Sequence, residues 1–127
     1  MYLVGPIYGK GILFKLIDVY SLLRNREFCY HEVIKMIKSF QHKGLEKFFT
    51  KGSLAGIQAI HATKIQDRLA FLHAASVVED MDKPGYRLHA LKGRLNGHWA
   101  VNVSGNWRIV FKFEDGNAYI VNYEDYH

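Results

Sequence analysis

Hydrophobic positions along the chain change period once, about two-thirds of the way along it. From Lys43 to Thr50 the apolar residues Leu45, Phe48 and Phe49 recur at helical spacing, which predicts a short helix with one buried face. Gly52 follows and suits the left-handed residue that closes a helix. Ile57, Ile60, Ile65, Leu69 and Leu72 then mark one face of a longer helix, with Gln58, Lys64, Gln66 and Asp67 mostly off that face. Pro84-Gly85 ends the helical half. Beyond it the period is two. Tyr86 to Leu91 reads as a strand, and Trp99, Val101 and Val103 alternate with smaller or polar residues. Trp107, Ile109, Phe111 and Phe113 alternate with Arg108, Val110 and Lys112, and 118–126 is rich in β-branched and aromatic residues. Asn96-Gly97, Ser104-Gly105-Asn106 and Asp115-Gly116 separate these runs as turns, the last suited to a tight hairpin.

The class expected is therefore α+β: two helices packed on a meander of antiparallel strands, with Ile37-Lys38-Ser39-Phe40 as a possible sheet start before them. One face of such a sheet packs on the helices and the other stays wet. Alternation puts Arg108 and Lys112 opposite Trp107 and Phe111, so the wet face is expected to be basic. Trp99 and Trp107 belong to the core, and His61 and His73 receive no functional role.

Residues 1–35 read differently. Met1 to Leu23 is apolar and glycine-spaced, but Lys10, Lys15 and Asp18 interrupt it, unlike a membrane span of ~20 uncharged residues. It has neither the basic start nor the small-residue cleavage site of a signal peptide. From Ile12 to Leu23 the apolar residues fall at helical spacing, as in a short amphipathic helix attached at a membrane interface; the plainer readings are a helix resting on the core or an unstructured extension. The other expectation is leader sequence from an over-long start assignment, since a compact, well-patterned unit begins at Met36. The expected organisation is an extension over 1–35 and one folded domain over 36–127.

Composition narrows the class. Aromatic residues make up 14% of the 127 residues, too much buryable surface for a disordered chain. Cys29 is the only cysteine, so no disulfide forms within the chain and a reducing cytoplasm fits. Seventeen Lys and Arg against twelve Asp and Glu leave a net charge of +5, which favours a polyanionic partner without naming one. Twelve basic and nine acidic residues fall in 36–127, so most of the excess belongs to the folded unit.

No zinc-protease, paired-cysteine, phosphate-loop or nucleophile-elbow motif occurs. The seven histidines show no ligand spacing, so no metal site and no cofactor is expected. The informative cluster is discontinuous: Arg87 to Gly93, Asn106 to Ile109, and Tyr123 to His127. A meander makes these strands neighbours, and His89, Lys92, Arg108, Asp125, Tyr126 and His127 then converge on one basic surface. Pattern alone also has a plainer account. His89 is then a satisfied structural histidine, Lys92 and Arg94 are solvated hairpin charges, Arg108 is a surface charge, and the last three residues are a frayed end.

The segments MIKSFQHKGLEKFF, RLHALKG, GNWRIVF, DGNAY and NYEDYH carry a resemblance. In their order and spacing, residues 36–127 resemble a HigB-type toxin of the RelE/ParE superfamily, from a bacterial type II toxin–antitoxin module. The resemblance implies an mRNA interferase that cleaves messages on the 70S ribosome, in the cytoplasm and away from membranes. Its protein partner would be a helix-turn-helix antitoxin of the HigA type, with operator DNA bound only through that complex. Carried over by motif, the resemblance assigns acid–base work to His89, Asp125 and His127 and phosphate stabilisation to Arg108 and Lys92. It gives a stacking or orienting role to Tyr126 and leaves open which group is the base and which the acid. Arg87, Arg94 and Lys112 are expected as further RNA contacts. Two departures stand out: Ala90 replaces the family's usual proline, which loosens the loop carrying Lys92, and residues 1–35 have no counterpart. A non-catalytic inhibitor of DNA gyrase on the same fold is the alternative function, because a shared fold does not decide activity. A product disabled by the extension is the third.

Overall fold

The computed structural model describes residues 36–126; the expected N-terminal helix and His127 lie outside them. Two helices come first, α1 over Lys43–Lys51 and α2 over Ala62–Ala74. Four strands follow: β1 (His89–Ala90), β2 (Trp99–Ser104), β3 (Trp107–Glu114) and β4 (Asn117–Asp125). They form one antiparallel sheet in the order β1-β2-β3-β4, the meander expected from three successive turns. No helix among the described residues is long and apolar enough to cross a membrane.

Helix α1 starts where His42 Nδ1 accepts a bond from Leu45 N at 3.0 Å. It stops at Gly52, whose φ of 78° lets its N–H turn back to the carbonyls of Lys47 and Phe48. Leu45, Phe48 and Phe49 are buried as the spacing predicts. Helix α2 departs from expectation at its start. Ile57 is buried, but Ile60 is 81% exposed in a 3-10 turn over Ala59–His61, and the regular helix begins only at Ala62. Apolar spacing carried no information about the end of the helix, where no side-chain cap forms.

Ile65, Leu69 and Leu72 of α2 join Leu45 and Phe48 of α1, Val101 and Val103 of β2, Ile109 and Phe111 of β3, and Val121 and Tyr123 of β4 in one cluster. Trp99 and Trp107 pack against it half-buried. The segment before α1 lies along β4 through parallel bridges, Ile37 to Ala118 and Phe40 to Val121. Tyr86 to Leu91 is mostly not strand, and only His89 and Ala90 pair with β2. The reason lies at Arg87, whose φ of 52° turns the chain out of extended conformation.

His73 joins α2 to this first segment. Its Nδ1 accepts from Ile37 N at 3.3 Å, and burial pushes its pKa down to about 4. The unfolded chain takes up this proton near the ordinary 6.5 and the folded one only near 4, so stability from neutral His73 is full above pH 6.5. It is lost progressively as pH falls from 6.5 to 4. At pH 5 the loss is about 2 kcal/mol. In urea titrations the wild type is expected to lose that much more stability between pH 7 and pH 5 than His73→Asn, which keeps an acceptor but no titration. Equal losses would detach His73 from the acid limb.

Candidate active site

The face of the sheet turned away from the helices carries two rows of side chains set by register. Arg108 of β3 stands opposite Asn102 of β2 and Glu124 of β4. In the next row His89, Ala100, Val110 and Asn122 follow one another across the four strands. Residues directly opposite share a face, so His89 lies diagonally from Arg108 on the same side.

Arg108 is held from two sides. Its Nε and Nη2 donate to Glu124 Oε2 at 2.8 and 2.6 Å, and Asn122 Nδ2 donates to the other carboxylate oxygen at 3.3 Å. The ring of Tyr126 covers the guanidinium, with Arg108 Cζ 4.1 Å from its centroid. Such a contact is worth ~0.5–1 kcal/mol at an exposed site. Tyr126 N donates to Asn106 O at 2.7 Å, extending the β3–β4 ladder by one step and anchoring the ring.

His89 is exposed, and its Nδ1 lies 2.8 Å from the carbonyl oxygen of Arg87. A carbonyl only accepts, so this bond requires the hydrogen on Nδ1. Nε2 is then the atom that takes or gives a proton. The backbone conformation of Arg87, costly for a residue with a side chain at ~1–3 kcal/mol, is held from behind. Asn102 N donates to Tyr86 O at 2.6 Å, Arg68 Nε donates to Asn102 O at 2.8 Å, and Arg68 stacks over the Tyr86 ring at 4.1 Å.

Between these groups runs a groove of about 280 Å³. Arg87, His89, Asn102, Arg108 and Tyr126 line it, and the Gly105-Asn106 turn closes one end. That volume is just under the ~300 Å³ where small-molecule pockets begin. The groove therefore suits one unit of a longer molecule better than an enclosed ligand.

The residues expected from sequence divide accordingly. Arg87, His89, Arg108 and Tyr126 come together in the groove. Lys92 and Arg94 are exposed on the 3-10 turn connecting β1 to β2 and do not line it. Lys112 shares the face of Arg108 but stands four residues along β3, about 13 Å away at ~3.3 Å per residue. Asp125 pairs with Trp107, which puts it on the helix side of the sheet with Tyr123 rather than in the groove. There Trp107 stacks on Tyr123 at 4.6 Å, and Tyr123 Oη lies 2.7 Å from Nδ1 of buried His61. Burial, reinforced by Lys64, pulls the His61 pKa down.

Glu124, Asn122 and Asn102 were not anticipated as site residues. The only signal for Glu124 would have been its cross-strand position opposite Arg108, which requires the register to be known.

A family model described as the RelE-like toxin of the type II toxin–antitoxin system HigB matches residues 38–127. The chain is also similar to the Endoribonuclease HigB of Proteus vulgaris, at 48% identity over 92 residues. Those residues are 72% of this chain and the whole of that relative.

Proposed function

Because this chain belongs to the HigB family of RelE-like toxins from type II toxin–antitoxin systems, we propose that it is a ribosome-dependent mRNA endoribonuclease acting in the cytoplasm. The activity in the relative's name supports the reaction class. What carries the reading in this molecule is the convergence of an imidazole, a guanidinium and an aromatic ring around one open groove.

RNA brings its own nucleophile. The 2′-oxygen attacks the adjacent phosphorus, the bond to the 5′-oxygen breaks, and a cyclic phosphate and a 5′-hydroxyl result. The protein must take the 2′ proton, stabilise charge growing on the phosphoryl oxygens, and return a proton to the leaving oxygen. His89 Nε2 faces this work as one of the two proton-transfer groups. Arg108 retains three N–H donors beyond those engaged by Glu124, enough to meet a phosphoryl oxygen. Tyr126, with Arg108 already over one face of its ring, offers its exposed surface to a base, and such stacking is worth ~1–3 kcal/mol. Lys92, Arg94 and Lys112 lie outside the groove and supply counter-charge to flanking phosphates. The resemblance implies acid–base roles for Asp125 and His127 as well; Asp125 stands on the helix side of the sheet, away from His89 and Arg108, so in this reading His127 is the second proton-transfer group.

A shallow groove cannot by itself hold a flexible message in line for attack, so the 70S ribosome presents the strand. The family implies an antitoxin partner; in this reading it is a helix-turn-helix protein of the HigA type, through which alone operator DNA is contacted.

Inducible expression of the full chain, with mapping of mRNA 5′ ends, tests the proposal. Cuts within translated codons are expected. His89→Ala is expected to reduce them by about 100-fold or more, the usual contribution of a positioned acid or base, with the circular dichroism spectrum unchanged. DNA damage with intact messages would replace this function with gyrase poisoning.

A further inference from the structure

The groove's principal cation already has an anion. Two of the five N–H groups of Arg108 are committed to a single oxygen of Glu124, at 2.8 and 2.6 Å, and Asn122 holds the second oxygen in place. The pair is not loose surface decoration: the Arg108 side chain is 12% exposed and that of Glu124 30%. Tyr126 closes one face of the guanidinium, so its plane, tilt and free edge are all determined before any RNA arrives.

We propose that Glu124 is a positioning residue that acts as the built-in counter-anion of Arg108, aligning the guanidinium for the transition state while suppressing its attraction for ground-state phosphate. The inference rests on the RNA-cleaving reading of the groove. A phosphodiester carries one negative charge and the pentacovalent species formed by 2′ attack carries more. An arginine free to swing would close on the first as readily as on the second, and such uniform binding does not accelerate chemistry. Clamped by Glu124, Arg108 meets the resting phosphate as part of a neutral pair. Its remaining donors stay aimed where charge develops, and no reorganisation is needed at that moment.

Salt dependence distinguishes this role from simple structural support. RNA binding releases a counterion for each phosphate that a free cation neutralises. Arg108 paired to Glu124 adds no net charge and so displaces no condensed cation from the RNA. Glu124→Gln keeps the side-chain shape but removes the internal anion, so Arg108 becomes one more phosphate-neutralising cation.

The test uses the full chain and a single-stranded RNA oligonucleotide methylated at every 2′-oxygen, which binds but cannot be cut. Fluorescence anisotropy across a KCl series gives the slope of log affinity against log salt. For Glu124→Gln the slope is expected to steepen by ~0.7, one additional phosphate on a single strand, with tighter binding at low salt. On ribosomes programmed with unmodified message, the maximal single-turnover rate of the same variant is expected to fall about tenfold, short of the loss from removing a donor outright. Glu124→Asp, which restores the charge, is expected to return the slope to that of the wild type. A Glu124→Gln slope equal to the wild type's overturns the proposal whatever happens to the rate. Failure of the wild type to cut ribosome-bound message would overturn the nuclease reading instead, and the methylated RNA would still report on the counter-anion.

Discussion

Arg108→Ala is expected to lower the maximal cleavage rate by about 100- to 1,000-fold, with the concentration of ribosome complex giving half-maximal rate changed far less. The range is what loss of one oriented donor to a developing oxyanion costs, ~2.7–4 kcal/mol. The asymmetry between rate and apparent affinity follows from Glu124, which already offsets the charge of Arg108 toward a resting phosphate. Arg108→Lys separates charge from geometry. A lysine keeps the positive charge but has neither the planar fork that spans Glu124 nor the flat surface under Tyr126. It is expected to recover only part of the rate. Stability is read separately, because the pair is only partly open to water and removing Arg108 leaves Glu124 without its partner, which costs more than the ~0–1 kcal/mol of an exposed pair. Single-turnover cleavage and urea titration of the same preparations check both. An alanine variant within threefold of the wild-type rate would remove Arg108 from the chemistry.

Deleting Ile120 is expected to abolish cleavage altogether, although its side chain touches nothing in the groove. The β3–β4 hairpin begins at Asp115-Gly116, where φ is 51° and 79°, and pairs Glu114 with Asn117, Phe113 with Ala118 and Lys112 with Tyr119. Continued unchanged, that register would set Arg108 against Tyr123. The observed partner is Glu124, because β4 accommodates one extra residue between Tyr119 and Asn122. Ile120, at φ 45°, marks the bulge. Ser39 braces it from outside the sheet. Its Oγ accepts from Ile120 N at 2.8 Å and its carbonyl from Val121 N at 3.1 Å.

One inserted residue reverses the face of everything beyond it. Val121 and Tyr123 therefore point into the core, while Glu124 and Tyr126 flank Arg108. Removing Ile120 forces a choice between those two outcomes, and either one dismantles the groove or turns Val121 and Tyr123 toward water. The stability cost is expected to be at least ~3 kcal/mol, in the range for losing large core side chains. Ile120→Gly is the control. It keeps the bulge and relieves a left-handed conformation costing ~1–2 kcal/mol, so cleavage is expected to survive. A folded deletion variant that cuts normally would show that the bulge does not set the register.

The same displacement explains why the site was only half legible. The groove residues on β1 and β3 and their connections were found from motif and alternation, since their faces follow from local period. Glu124 was missed and Asp125 was expected in the groove for one reason. Both lie past a β-branched residue whose positive φ no local rule would assign. His89 was placed with the right strands, but the tautomer set by the Arg87 carbonyl arose from a backbone turn at Arg87 that reads as ordinary strand.

By itself the sequence determined the two helices, the last three strands, the turns between them, most of the core and, through its motif segments, the family. All of these follow from period, turn chemistry and residue type within a few positions. Tertiary structure alone decided which side of the sheet the last residues of β4 occupy, and with it the carboxylate that faces Arg108. That outcome depends on Ser39, some eighty residues away, holding the chain at Ile120. Strand register accumulates over a whole hairpin, so a single distant brace can set which face its later residues occupy.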